Sequence, residues 1–268
     1  MKHEPGRPIR VVLFGGPYLE PAAVQFAVML DEHPDIELLA GLCQGEGSGR
    51  RHQLANLWRR RGALALPVLM LEGGRALLRF ARHPRAAISL RRRASRTLRK
   101  FVTVPDVHAP AVLQRVRALE PDLGLIYGAP ILKPSLFEVP ALGTLGIHHG
   151  KVPEYRGKKT TFWAMYHGER SAGVTIQRVS AGIDTGDVVE AGEVEIGCKS
   201  YGRVERELED LGLALYLKAV LEMRQGRATF RPQGSAAAKG SYRQPSARDI
   251  ARFWLRRLLG QRPGARLP

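Results

Sequence analysis

Two residues in one short span have settings suited to proton transfer, His148 and Asp184. His148 follows the run Leu145-Gly146-Ile147 and precedes His149-Gly150, a context that places it at the exposed end of a strand. Asp184 lies in Ala181-Gly182-Ile183-Asp184-Thr185-Gly186-Asp187, whose two glycines favour a tight loop with an accessible backbone. A carboxylate that orients an imidazole and stabilises its protonated form is a recurring arrangement for proton transfer near neutral pH. Each residue alone also has a plainer use, as a satisfied strand-end histidine or as a turn former. His149 points to the opposite face if the strand continues, which suits a structural or substrate-contacting role. Gly15 and Gly16 close an apolar run where a first βα turn can bring backbone N–H groups to an anionic part of a substrate. A plain tight turn accounts for that pair equally well.

Around these residues stand two longer motifs, Pro153-Glu154-Tyr155-Arg156-Gly157 and Gly173-Val174-Thr175-Ile176. With His148 and the Gly182–Gly186 loop, they make the chain resemble the formyltransferases that take a one-carbon unit from 10-formyltetrahydrofolate. That family includes glycinamide ribonucleotide, methionyl-tRNA and amino-sugar formyltransferases. The resemblance runs from about Ile9 to Ile196, apart from one basic segment. It implies 10-formyltetrahydrofolate as co-substrate, no metal, and attack of a primary amine on the formyl carbon. His148 and Asp184 then match the family's catalytic His and Asp. Gly182, Ile183, Thr185 and Gly186 match the backbone-lined wall that receives the pterin, and Phe101, Val102 and Val104 match a second apolar strand near it. The family's catalytic Asn falls on Gly146, which has no side chain. Loss of an oxyanion donor costs roughly 10²–10³ in turnover where it has been probed in hydrolases. By this resemblance another donor compensates, His149 or a backbone N–H, or the activity is altered or absent.

The elements that must position these residues read as an α/β fold. Ile9–Phe14 is a buried strand, Pro21–Leu30 a helix with Pro21 in its first turn, and Ile36–Leu42 a second strand. That β-α-β opening argues for a Rossmann-like, mostly parallel sheet. Phe101–Val104 and Leu123–Tyr127 continue the strands, with a helix over Pro110–Leu119 and a short turn or helix around Pro134–Phe137. Thr161–His167 reads as a helix, Gly173–Val179 and Val188–Ile196 as strands, and Arg203–Gln225 as a long helix. The expected organisation is a catalytic domain over 1–226, interrupted by a basic, mainly helical insertion over 45–100. A short C-terminal extension over 227–268 carries a strand near Thr229 and a final basic helix.

The net charge of +17 is regional: Arg50 to Lys100 holds fifteen Lys or Arg against one acid, Glu72. A solvated charged face is one reading of that segment. A nucleic-acid contact is another, disfavoured because only Trp58 and Phe80 interleave the arginines. The third is an anionic membrane surface, favoured by the apolar residues mixed with Arg in Leu54–Leu71 and Ala76–Leu90. Cys43 and Cys198 have neither disulfide nor metal-ligand spacing, no apolar run is long enough to span a bilayer, and the opening lacks the apolar core of a signal peptide. These features suggest the cytoplasm, with peripheral attachment at the inner face of the membrane if the basic segment binds lipid. The expected activity is N-formyl transfer to a small or sugar-linked amine, on a nucleotide or lipid carrier. The runner-up is a methionyl-tRNA formyltransferase, and Gly146 keeps open a folate-binding protein without catalysis or a formyl-folate hydrolase. The sequence carries no sign of an oligomeric state.

Overall fold

The computed structural model describes residues 7–16, 20–45, 84–234 and 241–258. Most of the basic segment, including the helical reading of Leu54–Leu78, lies outside these residues.

The first half alternates strand and helix. β1 (Ile9–Gly15) is buried at nearly every position and reads as a continuous apolar run, as a strand covered on both faces must. α1 (Pro21–Glu32) opens on Pro21 and turns Ala23, Phe26, Ala27 and Leu30 inward. β2 (Ile36–Gln44) returns parallel to β1. α2 (Pro84–Thr97) and a 3-10 turn over Leu98–Lys100 lead to β3 (Phe101–Val104). Then come α3 (Pro110–Ala118), β4 (Leu123–Tyr127), α4 (Pro134–Phe137) and β5 (Thr144–His148). β6 (Arg156–Gly157), α5 (Thr160–Tyr166), β7 (Ser171–Arg178), β8 (Val188–Glu195) and α6 (Tyr201–Arg224) follow. β9 (Ser241–Tyr242) and α7 (Ala247–Leu258) end the described chain.

The main sheet has the order β3-β2-β1-β4-β5-β7-β8, parallel through β5 and antiparallel in β7 and β8. The chain leaves β1 toward β2 on one side and later places β4 on the other. The crevice between the carboxyl ends of β1 and β4 is therefore a switch point, where ligands of open α/β sheets bind.

Helices cover both faces. On one, α1 and α6 pack Phe26 and Tyr216 as a stacked pair 4.5 Å apart. The Tyr216 hydroxyl accepts from the Ile126 N–H and donates to the Leu145 carbonyl at 2.7 Å, pinning β4 and β5 from above. On the other face Val12, Phe14 and Leu42 meet Val112, Val116 and Leu136 of α3 and α4. A third cluster joins α5, β7 and the start of α6, and includes Phe253 of α7.

The described residues after Gly226 fold back on this body. Arg231 pairs with Val188, a single bridge where a strand near Thr229 is expected. β9 pairs with β6, and the Trp163 indole donates to the Arg243 carbonyl at 2.8 Å. α2, the described end of the basic segment, lies on α1: Thr97 donates to Asp31, and Arg93 and Lys100 form ion pairs with Glu32 and Asp31. Cys43 is buried and Cys198 exposed, both unpaired. Among the described residues no helix is long and apolar enough to cross a membrane.

Candidate active site

His148 is the last residue of β5 and lies opposite Thr175 of β7. It is buried, although its sequence context suggests an exposed strand end. The cause is the turn from Gly150 to Gly157, which closes over the ring. Gly150 permits that closure, because a Cβ there would stand 2.3 Å from the Tyr155 carbonyl oxygen and 2.5 Å from His148 Nε2. Tyr155 is anchored by its N–H to Lys151, by its hydroxyl to Glu169 at 2.7 Å, and by stacking on Tyr242. Its carbonyl oxygen faces His148 Nε2 at 2.7 Å. A carbonyl only accepts, so Nε2 carries a hydrogen.

The other ring nitrogen, Nδ1, stands 3.4 Å from Asp184 Oδ2. That separation is an ion-pair contact rather than a tight hydrogen bond. With Nε2 turned to the Tyr155 carbonyl, Nδ1 is the ring nitrogen that faces the Asp184 carboxylate. Asp184 holds its place in a left-handed conformation, φ +52°, that Asp tolerates better than most residues. Oδ2 accepts from the Gly157 N–H at 2.9 Å, and Oδ1 accepts from Gln177 Nε2 at 3.2 Å. The loop around Asp184 is thus folded back over the face of the sheet that carries His148 and Gln177.

Two residues with no motif of their own complete this arrangement. Gln177 of β7 is buried directly across from Gly146 of β5, so the two positions share a face. Gln233, from the segment after Gly226, donates from Nε2 to Gln177 Oε1 and to the carbonyls of Asp184 and Gly186. Its own Oε1 accepts from both Arg156 Nε and Nη2, at 3.1 and 2.6 Å. The Pro153–Gly157 turn therefore supplies three different groups to the site: the Tyr155 carbonyl, the Arg156 guanidinium and the Gly157 N–H.

Gly146 lies two residues before His148 on the same face. A Cβ built there would meet Val179 and Ile126 at 3.5 and 3.9 Å, ordinary van der Waals distances. Nothing in the backbone demands glycine at this position, unlike Gly150.

His149 does point to the opposite face, which rules it out as the donor replacing an amide at 146. Its Nε2 sits 3.5 Å from Glu209 Oε2 of α6. Burial, with the nearby His148 and Lys159 charges, pushes His149 down to about 4. Burial and repulsion from Glu20 and Asp210 push the Glu209 carboxyl up to about 7. Near neutral pH the imidazole is uncharged and the carboxyl is titrating, so the contact is not an ordinary salt bridge. Among the described residues, Glu209 Oε1, His149 Nε2 and the Tyr127 hydroxyl are buried without a hydrogen-bond partner.

The remaining expected positions divide. Ile183 is exposed beside Asp184, Thr185 meets Ser180 through their hydroxyls at 2.9 Å, and Gly182 and Gly186 belong to the same loop. Gly15 and Gly16 reach the switch point, where a Cβ on Gly16 would come within 2.5 Å of the Gly128 carbonyl oxygen. Phe101, Val102 and Val104 do not join them. β3 is the far edge of the sheet, with β2, β1 and β4 between it and β5, a separation of about 19 Å at ordinary strand spacing. Phe101 instead packs across Gly41 of β2. The apolar stretch beside His148 is the one following β4, where Gly128 turns the chain and Ile131 is exposed. Its signal in the sequence is Tyr127-Gly128-Ala129-Pro130 directly after a buried strand. Among the described residues no cluster of three or more His, Cys, Asp or Glu is placed to hold a metal.

Comparison with known proteins adds to this geometry. Residues 76–220 match the formyl transferase family. A methionyl-tRNA formyltransferase of Syntrophus aciditrophicus is 33% identical over 131 residues, covering 48% of this chain and 42% of that protein. The match thus spans less than half the length of that curated relative. Among solved structures, glycinamide ribonucleotide transformylase 1 of Symbiobacterium toebii aligns with a TM-score of 0.58 at 17% identity, over 85% of this chain and 96% of that one. An N-formyltransferase of Helicobacter canadensis, in complex with folinic acid and dTDP-3-aminofucose, aligns with a TM-score of 0.55 at 15% identity, over 90% and 72%. At these identities the structural likeness speaks for the fold.

Proposed function

The chain belongs to the formyl transferase family, and on that footing we propose that it carries a formyl group from 10-formyltetrahydrofolate to a primary amine. The observation that carries this reading is the His148–Asp184 contact at the end of β5, next to the switch-point crevice. Formyl-folate, when bound, supplies the one-carbon unit. The apolar Ile131 and Ile183 and the backbone of Gly182–Gly186 fit a flat, partly apolar pterin. Asp184 orients His148 and offsets its charge. The pair takes a proton from the acceptor's amine as that nitrogen forms its new bond, and gives one up to the leaving nitrogen. Tyr155, through its carbonyl, fixes which ring nitrogen does this.

The carboxamide of Gln177 takes the part of the missing amide at Gly146. It is the buried amide across the strand pair from that position, and it already touches Asp184. On the α6 side, the Tyr127 hydroxyl, His149 Nε2 and Glu209 Oε1 are polar atoms that a hydrogen-bonding acceptor would satisfy. A sugar-linked amine fits that description. The methionyl-tRNA reading rests on the match to the Syntrophus protein, and the hydrolase and folate-binding readings rest on Gly146.

One assay separates them, following folate product with and without candidate amines, free sugar-linked or tRNA-borne. Amine-dependent turnover is the expected result; amine-independent turnover would indicate a hydrolase, and binding alone a regulator. In the same assay His148→Ala and Asp184→Asn should each lower kcat/KM by about 10²–10⁴. Near-normal turnover in either variant would refute the site.

A further inference from the structure

Five large hydrophobic side chains are conspicuously exposed among the described residues. Two, Ile131 and Ile183, belong to the site above. The other three lie on one twelve-residue helix, α7: Ile250 at 42% exposure, Trp254 at 49% and Leu255 at 57%. Ile250 and Trp254 are four residues apart, so they share a stripe, and Leu255 widens it.

The helix is firmly set. Ser246 and Asp249 cap its start reciprocally, Ser246 Oγ accepting from the Asp249 N–H and Asp249 Oδ2 accepting from the Ser246 N–H and hydroxyl. Phe253 is buried in the third core cluster. Arg256 lies over the Tyr166 ring, and Arg257 lies over Phe253 and donates to the Lys199 carbonyl. These contacts fix which side of α7 faces out. Arg248 and Arg252 are also exposed and, four residues apart, lie together along the Leu255 edge of the apolar stripe.

We propose that the outer face of α7 docks on an anionic lipid bilayer. An apolar stripe with an indole, edged by arginines on a helix that lies flat against its protein, is the pattern that interfacial helices present to lipid. The apolar side chains enter the acyl boundary, the indole sits at headgroup level, and Arg248 and Arg252 meet lipid phosphates. A second copy of the chain fits less well, because an isologous contact would set the same arginines against each other. A nucleic acid would reward the arginines but gives no return for desolvating the exposed Ile250 and Leu255. The inference rests on α7 alone and is independent of the reaction proposed above.

The test is flotation of the full chain with large unilamellar vesicles. Phosphatidylcholine vesicles containing phosphatidylglycerol should carry the protein, pure phosphatidylcholine should not, and added salt should weaken the binding. Trp254→Ser/Leu255→Ser should reduce partitioning about tenfold or more, as should Arg248→Glu/Arg252→Glu. Trp254→Phe/Leu255→Ile should retain it. All four side chains are exposed, so matched thermal midpoints will separate a binding defect from misfolding. Several results would overturn the proposal. The serine variant could float as well as the wild type, or the wild type could fail to bind anionic vesicles. Equally decisive would be a dimer or an RNA complex that the serine variant abolishes while vesicle binding stays unchanged.

Discussion

Both ring nitrogens of His148 are committed, one to a carbonyl and one to a carboxylate, so the proton exchange proposed for this pair is confined to the Asp184 side of the ring. The stabilising amide is the less conventional part of it. If Gln177 serves in place of a side chain at 146, Gln177→Ala should lower turnover by about 10²–10³, and Gly146→Asn in that background should recover part of the loss. The space at Gly146 accepts a Cβ, so the double variant is expected to fold. A folded double variant with no recovery would remove Gln177 from this role. Residues of this kind differ in how legible they are. His148 and Asp184 stand out because short glycine-bounded motifs frame them. Gln177 does not, because its importance depends on the register that sets it opposite Gly146, and register depends on how strands pair.

At the scale of elements, the contact between α6 and the end of β5 governs a pH response. Glu209 ionises near 4.5 in an unfolded chain but at about 7 in the fold. Between those values the unfolded chain binds fewer protons, so stability falls as pH rises through the window. His149, moved from 6.5 to about 4, acts oppositely between 4 and 6.5, where the unfolded chain binds more protons and stability rises with pH. Glu209→Gln should remove only the falling limb, so the variant should gain on the wild type as pH rises from about 4.5 to 7 and keep a constant lead above that. Urea midpoints measured from pH 5 to 8 would reveal this, and parallel profiles would contradict it. Strand order also belongs to this scale, and it is where the sequence misleads. Phe101–Val104 reads correctly as an apolar strand, but parallel strands joined by long crossovers do not announce their neighbours. Only the observed order sends Phe101 to the far edge and leaves the stretch after Tyr127 beside His148. Local elements such as the strand Leu123–Tyr127 and the helix from Pro110 are legible because periodicity and a leading Pro define them without reference to the rest.

For the whole molecule, the described residues after Gly226 are part of the body. Phe253 is packed in the cluster that holds Phe162, Trp163 and Val174. Phe253→Ala should therefore cost about 3–5 kcal/mol, as for an aromatic side chain lost from a core, and should appear as a lowered denaturant midpoint with an unchanged slope. A loss below 1 kcal/mol would mean that α7 is only loosely attached. Gln233 extends the same integration into the site, since it bridges Gln177, Arg156 and the backbone of the Asp184 loop. It follows Asp184 by 49 positions. A ribosome making this chain thus releases Gln177 and Asp184 well before the residue that bridges them, and every strand of the seven-stranded sheet is synthesised before it. The loop that carries Asp184 gains this tie only late in synthesis.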